Sequence, residues 1–482
     1  MTARPPGGEA EGPERLVASS LDGRRVAYEV ELDRLAVRVG GYVLFTDDAH
    51  GERLGQVTNV ERVAGDPGMV RVEGRMLEGP PDPFGRAEVQ TPSAQRVATW
   101  FESNRSGRAS LDVGTLTFAG ELALKLDAGG FDRHTFLCGQ SGSGKTYALG
   151  TILERLLAET TLRIVVLDPN SDFGGLGRCR EDVADDVRAR YGGIAAAVDV
   201  RRAGTRAADR LHVRFRDFDS DEKAAVLQLD PIADRLEYSA LSEALETTPS
   251  DGGAEDLDAT VRAFVDRLCQ AADPQRSLGQ RARNLGVDEW HVWSEGAHDS
   301  LQDAVRPGGP RCVVADLGSL DSRAEQAVAA EAVLAALWRR RTAREPVLIV
   351  IDEAHNVCPA EPGDRLTALA TEHAVRIAGE GRKFGLVLLA ATQRPQKVHE
   401  NVVSQCDNLV LMRMNSRSDL AQMEQTFSFV PGPVLGLAAD FEQGEAIVAG
   451  KLVPSPTLGR FGPRWSPEGG ADVPADWAMP RG

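Results

Sequence analysis

The chain has 482 residues, with 55 basic and 72 acidic side chains and a formal net charge of −17. This length provides material for about three domains. The acidic balance is a poor signature for a protein that coats nucleic acid, although it is compatible with a ring that contacts DNA through a few pore residues. The six cysteines include no Cys-x-x-Cys pair, which argues against structural zinc or a disulfide framework and favours the cytoplasm. No run of 18 apolar residues occurs, so we expect no membrane-spanning helix.

The N-terminal part of the chain is interpreted as a leader followed by a small β-barrel. Residues 1–15 are rich in Pro, Gly and Glu and lack an apolar stretch, so we expect a disordered leader rather than a signal peptide. Residues 16–120 are expected to form the barrel and its linker, because short β-rich runs alternate with turn-forming Gly and Asp. The predicted strands are residues 35–39, 42–46, 54–60 and 70–72. By default, we interpret this unit as a structural cap without a catalytic role.

Residues 139–146 read Gly-Gln-Ser-Gly-Ser-Gly-Lys-Thr and fit the Walker A pattern. In this pattern, backbone N–H groups wrap a phosphate chain, the lysine reaches the β- and γ-phosphates, and the hydroxyl group coordinates Mg²⁺. An apolar run precedes the loop and apolar residues at helical spacing follow it, which predicts a strand, a phosphate loop and a helix in order. The predicted nucleotide-binding residues are Gly139, Gln140, Ser141, Gly142, Ser143, Gly144, Lys145, Thr146 and Tyr147.

Residues 121–453 are expected to form an α/β domain with a parallel sheet, because strand and helix patterns alternate. Continuous apolar runs predict strands buried on both faces at residues 164–167, 312–315, 347–351, 386–391 and 409–412. Residues 219–306 predict a helical insertion that opens with a capping pattern at Asp219 and Glu222. The Pro/Gly-rich tail, residues 454–482, is not expected to keep regular structure for long. It either wraps a neighbouring subunit or is a mobile end, and the sequence does not separate the two.

The apolar run at residues 347–351 is followed by Asp352 and Glu353, which form a Walker B signature. Asp352 is predicted to hold Mg²⁺ through its water shell, and Glu353 to polarise the attacking water as a general base. Adjacent acids of this kind are typical of a hydrolysing motor rather than a GTPase-like switch. The sequence therefore predicts ATP hydrolysis.

Two further polar residues flank the strand predicted at residues 386–391. Gln393 follows it, where an amide can contact the γ-phosphate or orient water. Arg382 precedes it and is a candidate arginine finger, a class of residue worth roughly 10³–10⁵ in rate. Taken alone, Gln393 is a weak signal, because a Gln at the end of a strand is usually solvated. On spacing alone, Arg382 is equally compatible with an ordinary surface turn.

Taken together, these motifs closely resemble the HerA branch of the HerA/FtsK DNA-translocating ATPases. The residues that carry the resemblance are 139–146, 349–356, 380–385, 391–395 and 404–408, and the likeness extends from about 16 to 466. It implies a RecA/FtsK-like P-loop core, an N-terminal barrel of the HerA/ATP-synthase type, and a homo-hexamer that pumps double-stranded DNA through its channel. The implied partner is a nuclease such as NurA, or a sirtuin-like or nuclease effector in antiviral relatives.

The resemblance also assigns roles by position. Lys145 and Thr146 bind phosphates and Mg²⁺, Asp352 binds the metal and Glu353 is the base. Gln393 is a sensor, Arg382 acts across the subunit interface, and Arg133 is used at the nucleotide site. His355 either orients Glu353 or only packs, and the family match favours a site role. Residues 168–172 lie where relatives commonly have Asp-Pro-His-Gly-Glu. Here Asn170 and Asp172 replace the His and the Glu, which leaves their roles near the γ-phosphate open.

We therefore predict an ATP-driven, hexameric translocase or helicase for double-stranded DNA, with ATP and Mg²⁺ as cofactors, that acts in DNA end processing or antiviral defence. One alternative is a regulatory ATPase ring that activates an effector enzyme with little translocation of its own, which the acidic charge slightly favours. Another is a nucleotide-dependent assembly module too slow to be a motor, against which the Asp352–Glu353 pair argues. The lack of a spanning segment disfavours a membrane-anchored pump.

Overall fold

The structure is a computed structural model that describes residues 16–105, 109–204, 210–246, 261–293 and 299–469. The expected leader at residues 1–15 and the last part of the expected tail, residues 470–482, lie outside the described residues. Within the described ranges, the β-structure consists of a closed six-stranded barrel and an eleven-stranded sheet. The predicted α/β class and the predicted N-terminal barrel are both confirmed.

The barrel is formed by six antiparallel strands. In chain order they are β1 (Val17–Ser20), β2 (Arg25–Glu31), β3 (Tyr42–Asp47), β4 (Gly51–Arg62), β5 (Met69–Met76) and β6 (Phe84–Gln90). Their spatial order is β1-β2-β5-β4-β3-β6, and β6 pairs with β1 to close the barrel. Alternate side chains such as Val26, Tyr28 and Val30 are buried in its small core, as the period of a β-strand requires.

One predicted barrel strand is wrong. Residues 35–39 form no strand and instead connect β2 to β3. In a closed barrel every strand edge is already hydrogen-bonded to a neighbour, so this run has no free edge to join despite its alternating pattern. The other three predicted strands lie within β3, β4 and β5, and β1, β2 and β6 are additional to the prediction.

The large sheet has a parallel centre and an antiparallel side. After α1 (Ala94–Ser103), its strands in chain order are β7 (Ser110–Leu116), β8 (Ala119–Asp127), β9 (Thr135–Cys138), β10 (Arg163–Asp168), β11 (Val198–Arg202), β12 (Cys312–Asp316), β13 (Val347–Ile351), β14 (Leu386–Thr392), β15 (Asn408–Met412), β16 (Glu445–Ala449) and β17 (Thr457–Phe461). Their spatial order is β11-β12-β10-β13-β14-β9-β15-β16-β17-β7-β8. The pairs from β11 to β15 are parallel, as predicted. The pairs from β15 to β8 are antiparallel and were not expected.

Helices cover both faces of this sheet. They are α2 (Lys145–Glu159), α3 (Asp185–Ala195), α4 (Ser220–Val226), α5 (Arg235–Glu246), α6 (Val261–Gln270), α7 (Gln275–Asn284), α8 (Leu301–Ala304), α9 (Arg323–Arg339), α10 (Arg365–Glu380), α11 (Glu400–Val403), α12 (Arg417–Thr426) and α13 (Gly432–Gly436). Leucines of α2 pack with Val166 on one face, whereas α9 and α10 pack with Val165 and Ile349 on the other. In the ranges described, no helix is both long and apolar enough to cross a bilayer.

The region predicted as a helical insertion contains α4 to α8. The capping pattern at its start is confirmed, because the Asp219 side chain accepts the Glu222 N–H at 2.9 Å and the Glu222 side chain accepts the Asp219 N–H at 2.6 Å. These two bonds satisfy N–H groups that have no partner within the helix. Residues 247–260 and 294–298 of this region lie outside the described residues.

The expected irregular tail instead begins as ordered structure. Residues 457–461 form β17, and the three residues Arg464, Trp465 and Ser466 are buried. The carboxylate of Glu154 in α2 accepts the backbone N–H groups of Trp465 and Ser466, each at 2.7 Å. A buried carboxylate needs such donors, so this segment and α2 satisfy each other's polar groups.

The barrel is joined to the sheet through the same C-terminal region. The Gln56 side chain donates a hydrogen bond of 2.7 Å to the Pro456 carbonyl, which directly precedes β17. The ring of Tyr42 packs edge-on against Phe101 of α1, with centroids 5.8 Å apart. These contacts place the barrel next to the antiparallel side of the large sheet, away from its parallel centre.

Candidate nucleotide site

The Walker A residues form the loop between β9 and α2, at the carboxyl edge of the parallel strands. Gly142 and Gly144 have φ values of +72° and +92°, a left-handed conformation that favours glycine. Gly139 has no space for a side chain, because a Cβ would lie 2.7 Å from the Cβ of Met412. The loop thus leads directly into the first turn of α2, whose N–H groups lack helical partners and suit an anion.

Asp352 of the Walker B pair meets the Walker A lysine although the two residues are 207 positions apart in the sequence. A single strand, β14, separates β13 from β9 in the sheet. The Nζ atom of Lys145 lies 2.5 Å from Asp352 Oδ1 and 3.1 Å from Glu353 Oε1. Burial lowers the pKa of Lys145, but the charges of the two acids raise it above its usual value. The three residues form one buried ionic cluster.

Glu353 is held in position by three groups. It has a φ of +43°, a left-handed conformation that costs a non-glycine residue of order 1–3 kcal/mol and is typical of functional sites. Its Oε2 atom lies 3.2 Å from Nδ1 of His355 and accepts the Gln393 N–H at 3.3 Å. Burial raises the pKa of Glu353, but the bond to His355 and the charge of Lys145 lower it overall, to about 2. Glu353 is therefore ionised at neutral pH, the state that a general base needs.

These groups border a pocket of about 750 Å³. Of the residues predicted from sequence, its lining includes Gln140, Ser141, Gly142, Gly144, Lys145, Thr146, Tyr147, Glu353 and Gln393. Asn170 and Asp172 also line it, whereas Ser143 is buried within the loop and Asp352 is buried beneath the pocket. The structure thus brings together most of the predicted nucleotide-binding residues.

The C-terminal part of the chain supplies a side of the pocket that the sequence analysis missed. The additional lining residues are Gln443, Gly444, Arg460, Phe461, Glu468 and Gly469. The Gly444 N–H donates to the Ser143 carbonyl at 2.9 Å, and the Tyr147 hydroxyl accepts the Arg464 N–H at 2.8 Å. No local motif marks these residues, because they reach the pocket only through the pairing of β16 and β17 with the sheet.

Three carboxylates lie together beside the Walker A threonine. One oxygen each of Asp168, Asp172 and Asp352 can be chosen so that all three lie within 4.8 Å of one another. Burial raises the pKa of Asp168 to about 7, and burial together with the charge of Asp352 raises that of Asp172 to about 6. Among the residues that the structure describes, Asp352 Oδ2 is buried without a hydrogen-bond partner. An orphaned oxygen among hard oxygen donors fits Mg²⁺, with Thr146 and Asp352 as the predicted ligands.

The two predicted arginines lie elsewhere. Arg382 precedes β14, whereas Gln393 follows it, so the length of this seven-residue strand, roughly 23 Å, lies between them. Arg382 forms an ion pair of 2.7 Å with Asp407, which precedes β15. Arg133 precedes β9, and its Nε atom lies 3.4 Å from Asp132. Both arginines are thus at the amino edge of the sheet, and neither lines the pocket of its own chain.

Comparison with known proteins supports the resemblance on which several expectations rest. Residues 111–336 match the family described as helicase HerA, central domain. The protein named DNA double-strand break repair helicase HerA from Pyrococcus furiosus is 23% identical, over 86% of this chain and 79% of its own. The protein of the same name from Sulfurisphaera tokodaii is 20% identical, over 81% and 76%. Among solved structures, VirB4 of Thermoanaerobacter pseudethanolicus aligns with a TM-score of 0.49 and 14% identity, over 74% of this chain and 97% of that chain. The predicted resemblance to HerA proteins is confirmed by the sequence matches.

Proposed function

Because the chain is HerA-like in sequence, we propose that it is an ATP-driven, hexameric translocase of double-stranded DNA whose ATP sites lie between subunits. One observation supports this proposal: the Walker groups and the two arginines predicted to act with them lie at opposite edges of a single sheet. The Walker groups lie at the carboxyl edge, and Arg133 and Arg382 lie at the amino edge. A head-to-tail ring joins two different surfaces of neighbouring subunits, and in this proposal these surfaces are the two edges of the sheet. The Walker residues of one subunit and the arginines of the next subunit then meet only at the interface between two copies.

In this proposal ATP occupies the pocket with its phosphates in the Walker A loop. Lys145 turns from the Walker B acids to the β- and γ-phosphates, where its charge offsets theirs. Mg²⁺, held by Thr146 and Asp352, would neutralise charge on the same phosphate oxygens. Gln393 lines the pocket beside Glu353 and orients the attacking water, while Arg382 of the adjacent subunit stabilises the charge that develops in the transition state.

The movement of Lys145 also activates the base. In the present arrangement the lysine charge helps to hold the pKa of Glu353 at about 2, which makes the carboxylate a weak base. When Lys145 engages the phosphates, Glu353 loses this opposing charge and its proton affinity rises toward the range that a general base requires. His355 keeps the carboxylate oriented during the exchange.

DNA is proposed as the polymer moved by the ring, because the relatives matched over most of their length are named as DNA repair helicases. A protein with a net charge of −17 is expected to grip DNA through a limited set of phosphate contacts. Such contacts are independent of sequence and weaken as salt increases. We place the protein in the cytoplasm, where its six unpaired cysteines would stay reduced, with a NurA-like nuclease or a sirtuin-like effector as partner.

The first test is steady-state ATP hydrolysis by the purified full chain with and without linear double-stranded DNA, at one low and stated salt concentration. We expect DNA to stimulate hydrolysis, and the stimulation to decline as salt is raised. The Lys145→Ala variant is the control and should show no turnover in either condition. Displacement of a third strand from a DNA triplex would then demonstrate movement along the duplex. An equal rate of hydrolysis with and without DNA would contradict the proposal and favour a ring that regulates an effector enzyme.

A further inference from the structure

Asp168 and Asp352 end two neighbouring strands of the sheet at the same level. Strands β10 and β13 are paired with Leu167 opposite Ile351, so the residues that follow are side by side. Both are fully buried. Two adjacent buried carboxylates repel each other unless a cation or hydrogen-bond donors balance them. The surroundings of Asp168 and of Asp352 show whether hydrogen-bond donors or a cation balances each carboxylate.

Asp168 is balanced by backbone donors. Its carboxylate accepts the N–H groups of Asp172 at 3.0 Å and of Phe173 at 2.8 Å. These bonds fold residues 168–173 back on themselves, so that Asp172 lines the nucleotide pocket. Asp168 is therefore occupied as an acceptor and acts as a positioning residue for the loop.

A second anchor fixes the loop from the other side. Ser171 has a φ of +63°, which is unusual for a residue with a side chain. Its hydroxyl donates a hydrogen bond of 2.5 Å to Asp316, a buried residue at the end of β12. Gly469 donates its N–H to the Asp172 carbonyl at 3.0 Å. A strained backbone that three separate elements hold in place is typical of a functional position.

Asp352 is not balanced in this way. Its Oδ1 atom is paired with Lys145 at 2.5 Å, but its buried Oδ2 atom has no hydrogen-bond partner within the described part of the chain. The Asp172 carboxylate reaches into the same space, where its Oδ2 atom accepts the Thr146 hydroxyl at 3.3 Å. The hydroxyl, the orphaned oxygen and the Asp172 carboxylate thus converge on one region.

We propose that Asp172 is a ligand of the divalent cation that accompanies the nucleotide, together with Thr146 and Asp352, and that Asp168 positions it. This inference rests on the proposed ATP-dependent function and adds a residue to its metal site. The donors are all oxygen atoms, as Mg²⁺ prefers. Asp172 belongs to the segment whose role the sequence left open, and the strained turn places its short side chain beside Thr146 and Asp352.

The proposal is tested by the binding of fluorescent methylanthraniloyl-ADP to the full chain, in saturating MgCl₂ and in EDTA. We expect the wild-type protein to bind more tightly with Mg²⁺. In the Asp172→Asn variant, the gain in ADP affinity caused by Mg²⁺ should be at least about tenfold smaller than in the wild type. Effects of this size are seen when groups around a metal are altered. The variant should bind in EDTA at least as tightly as the wild type, because one negative charge facing the phosphates is gone. As a second readout, electron paramagnetic resonance with Mn²⁺ in place of Mg²⁺ measures binding of the cation to the ADP complex. The Asp172→Asn variant should bind Mn²⁺ more weakly than the wild type.

Two variants serve as matched controls. Glu468→Gln removes one negative charge from the same pocket but outside the three-carboxylate cluster, so it should keep the wild-type Mg²⁺ effect. Asp172→Glu retains a carboxylate and should keep most of the effect. Thermal denaturation should show Asp172→Asn to be folded, because it removes the repulsion between the half-buried Asp172 and the buried acids beside it. An unchanged Mg²⁺ effect in Asp172→Asn, or an equal loss in Glu468→Gln, would overturn the proposal. If instead the Mg²⁺ effects are as expected but DNA never stimulates ATP hydrolysis, only the proposed translocase function fails.

Discussion

The ammonium group of Lys145 lies 3.1 Å from the carboxylate of Glu353, so the residue proposed to bind phosphate also contacts the candidate base. Both side chains are buried, which strengthens their interaction relative to a surface ion pair. In the proposed mechanism, binding of a nucleoside triphosphate and activation of the base are therefore linked through the Lys145 side chain. Binding and turnover nevertheless depend on different residues, Lys145 and Glu353, so each can be removed by its own substitution.

Replacement of Glu353 by Gln should preserve ATP binding and abolish turnover. The amide keeps the shape of the side chain and its contacts with His355 and the Gln393 N–H, but it cannot accept a proton. We expect kcat to fall by more than about 100-fold, as for other general bases, while the Kd for ATP stays within a few-fold. Equilibrium binding and steady-state hydrolysis measure the two effects. Lys145→Ala, which should lose binding itself, is the contrasting control, and near-normal hydrolysis by Glu353→Gln would refute the base assignment.

Arg382 and Lys145 should act on the same ATP from different subunits. They lie at opposite edges of one sheet, so a Lys145→Ala subunit still offers Arg382 to its neighbour, and an Arg382→Ala subunit still offers an intact pocket. Each variant alone should hydrolyse ATP at least about 1000-fold more slowly than the wild type, the lower end of the range for an arginine finger. Mixed rings of the two variants should regain measurable activity, because some interfaces combine both intact halves.

This complementation is measured by mixing the two dissociated variants, reassembling them and following ATP hydrolysis against the ratio of the subunits. A bell-shaped dependence is expected, with the maximum near equal amounts. The double variant Lys145→Ala/Arg382→Ala mixed with either single variant serves as the control and should restore nothing. Activity that never exceeds that of the single variants would contradict a site shared between subunits.

The sequence predicts those parts of the fold that depend on short, continuous stretches of the chain. Strand β13 is five buried apolar residues followed by two acids, and both its location and its chemistry are visible in one window of sequence. The Walker A loop is recognised for the same reason, because its glycines meet local backbone requirements. The roles of such residues follow from their neighbours in the chain.

The antiparallel side of the sheet has no such signature. Strand β17 pairs with β7, and Arg460 lies opposite Thr115 across a separation of several hundred residues. Pairing of this kind depends on where the chain returns in space rather than on local spacing. Residues 35–39 show the converse error, since an alternating pattern there predicts a strand for which the closed barrel has no edge. The pocket residues contributed by the C-terminal region could not be found for the same reason.

A buried acid–base pair between α9 and α10 should make stability depend on pH. His373 Nδ1 lies 2.9 Å from Glu331 Oε1. Burial raises the pKa of Glu331 to about 7. Burial lowers the pKa of His373, but the bond to Glu331 and its charge raise it overall. Both folded-state pKa values lie above the unfolded ones, so the folded state binds more protons. The pair therefore stabilises the protein fully at acidic pH and loses this contribution as pH rises through neutrality.

The Glu331→Gln variant isolates this effect, because nearby charged groups such as Glu222, Arg339 and Arg376 are common to both proteins. Between about pH 5 and about pH 8, the stability of the wild type relative to the variant should fall by at least about 1 kcal/mol. Thermal denaturation across this range measures it, and the midpoint difference between the two proteins is the quantity of interest. Parallel curves for the two proteins would show that the pair does not titrate in this range.

Replacement of Gly150 by Ala should loosen the C-terminal segment from the nucleotide site. Gly150 lies in α2, and a Cβ there would come within 2.5 Å of the guanidinium carbon of Arg464. That side chain is buried, lies 3.6 Å from the Glu154 carboxylate and donates to the Thr146 carbonyl at 3.4 Å. Because this side chain is buried and held by these contacts, we expect destabilisation of about 1–3 kcal/mol from overpacking, together with weaker ADP binding because the Thr146 contact shifts.

The matched control is Gly379→Ala, in the exposed part of α10, where a Cβ meets nothing within 4 Å. Since alanine favours a helix over glycine, this change should be neutral or stabilise the protein by up to about 1 kcal/mol. Melting temperatures and fluorescent ADP titrations of the two variants decide the matter. Gly150→Ala could instead have the same melting temperature and the same affinity for ADP as Gly379→Ala. Arg464 would then be free to move, and the C-terminal segment would not be fixed to α2, contrary to what its contacts indicate.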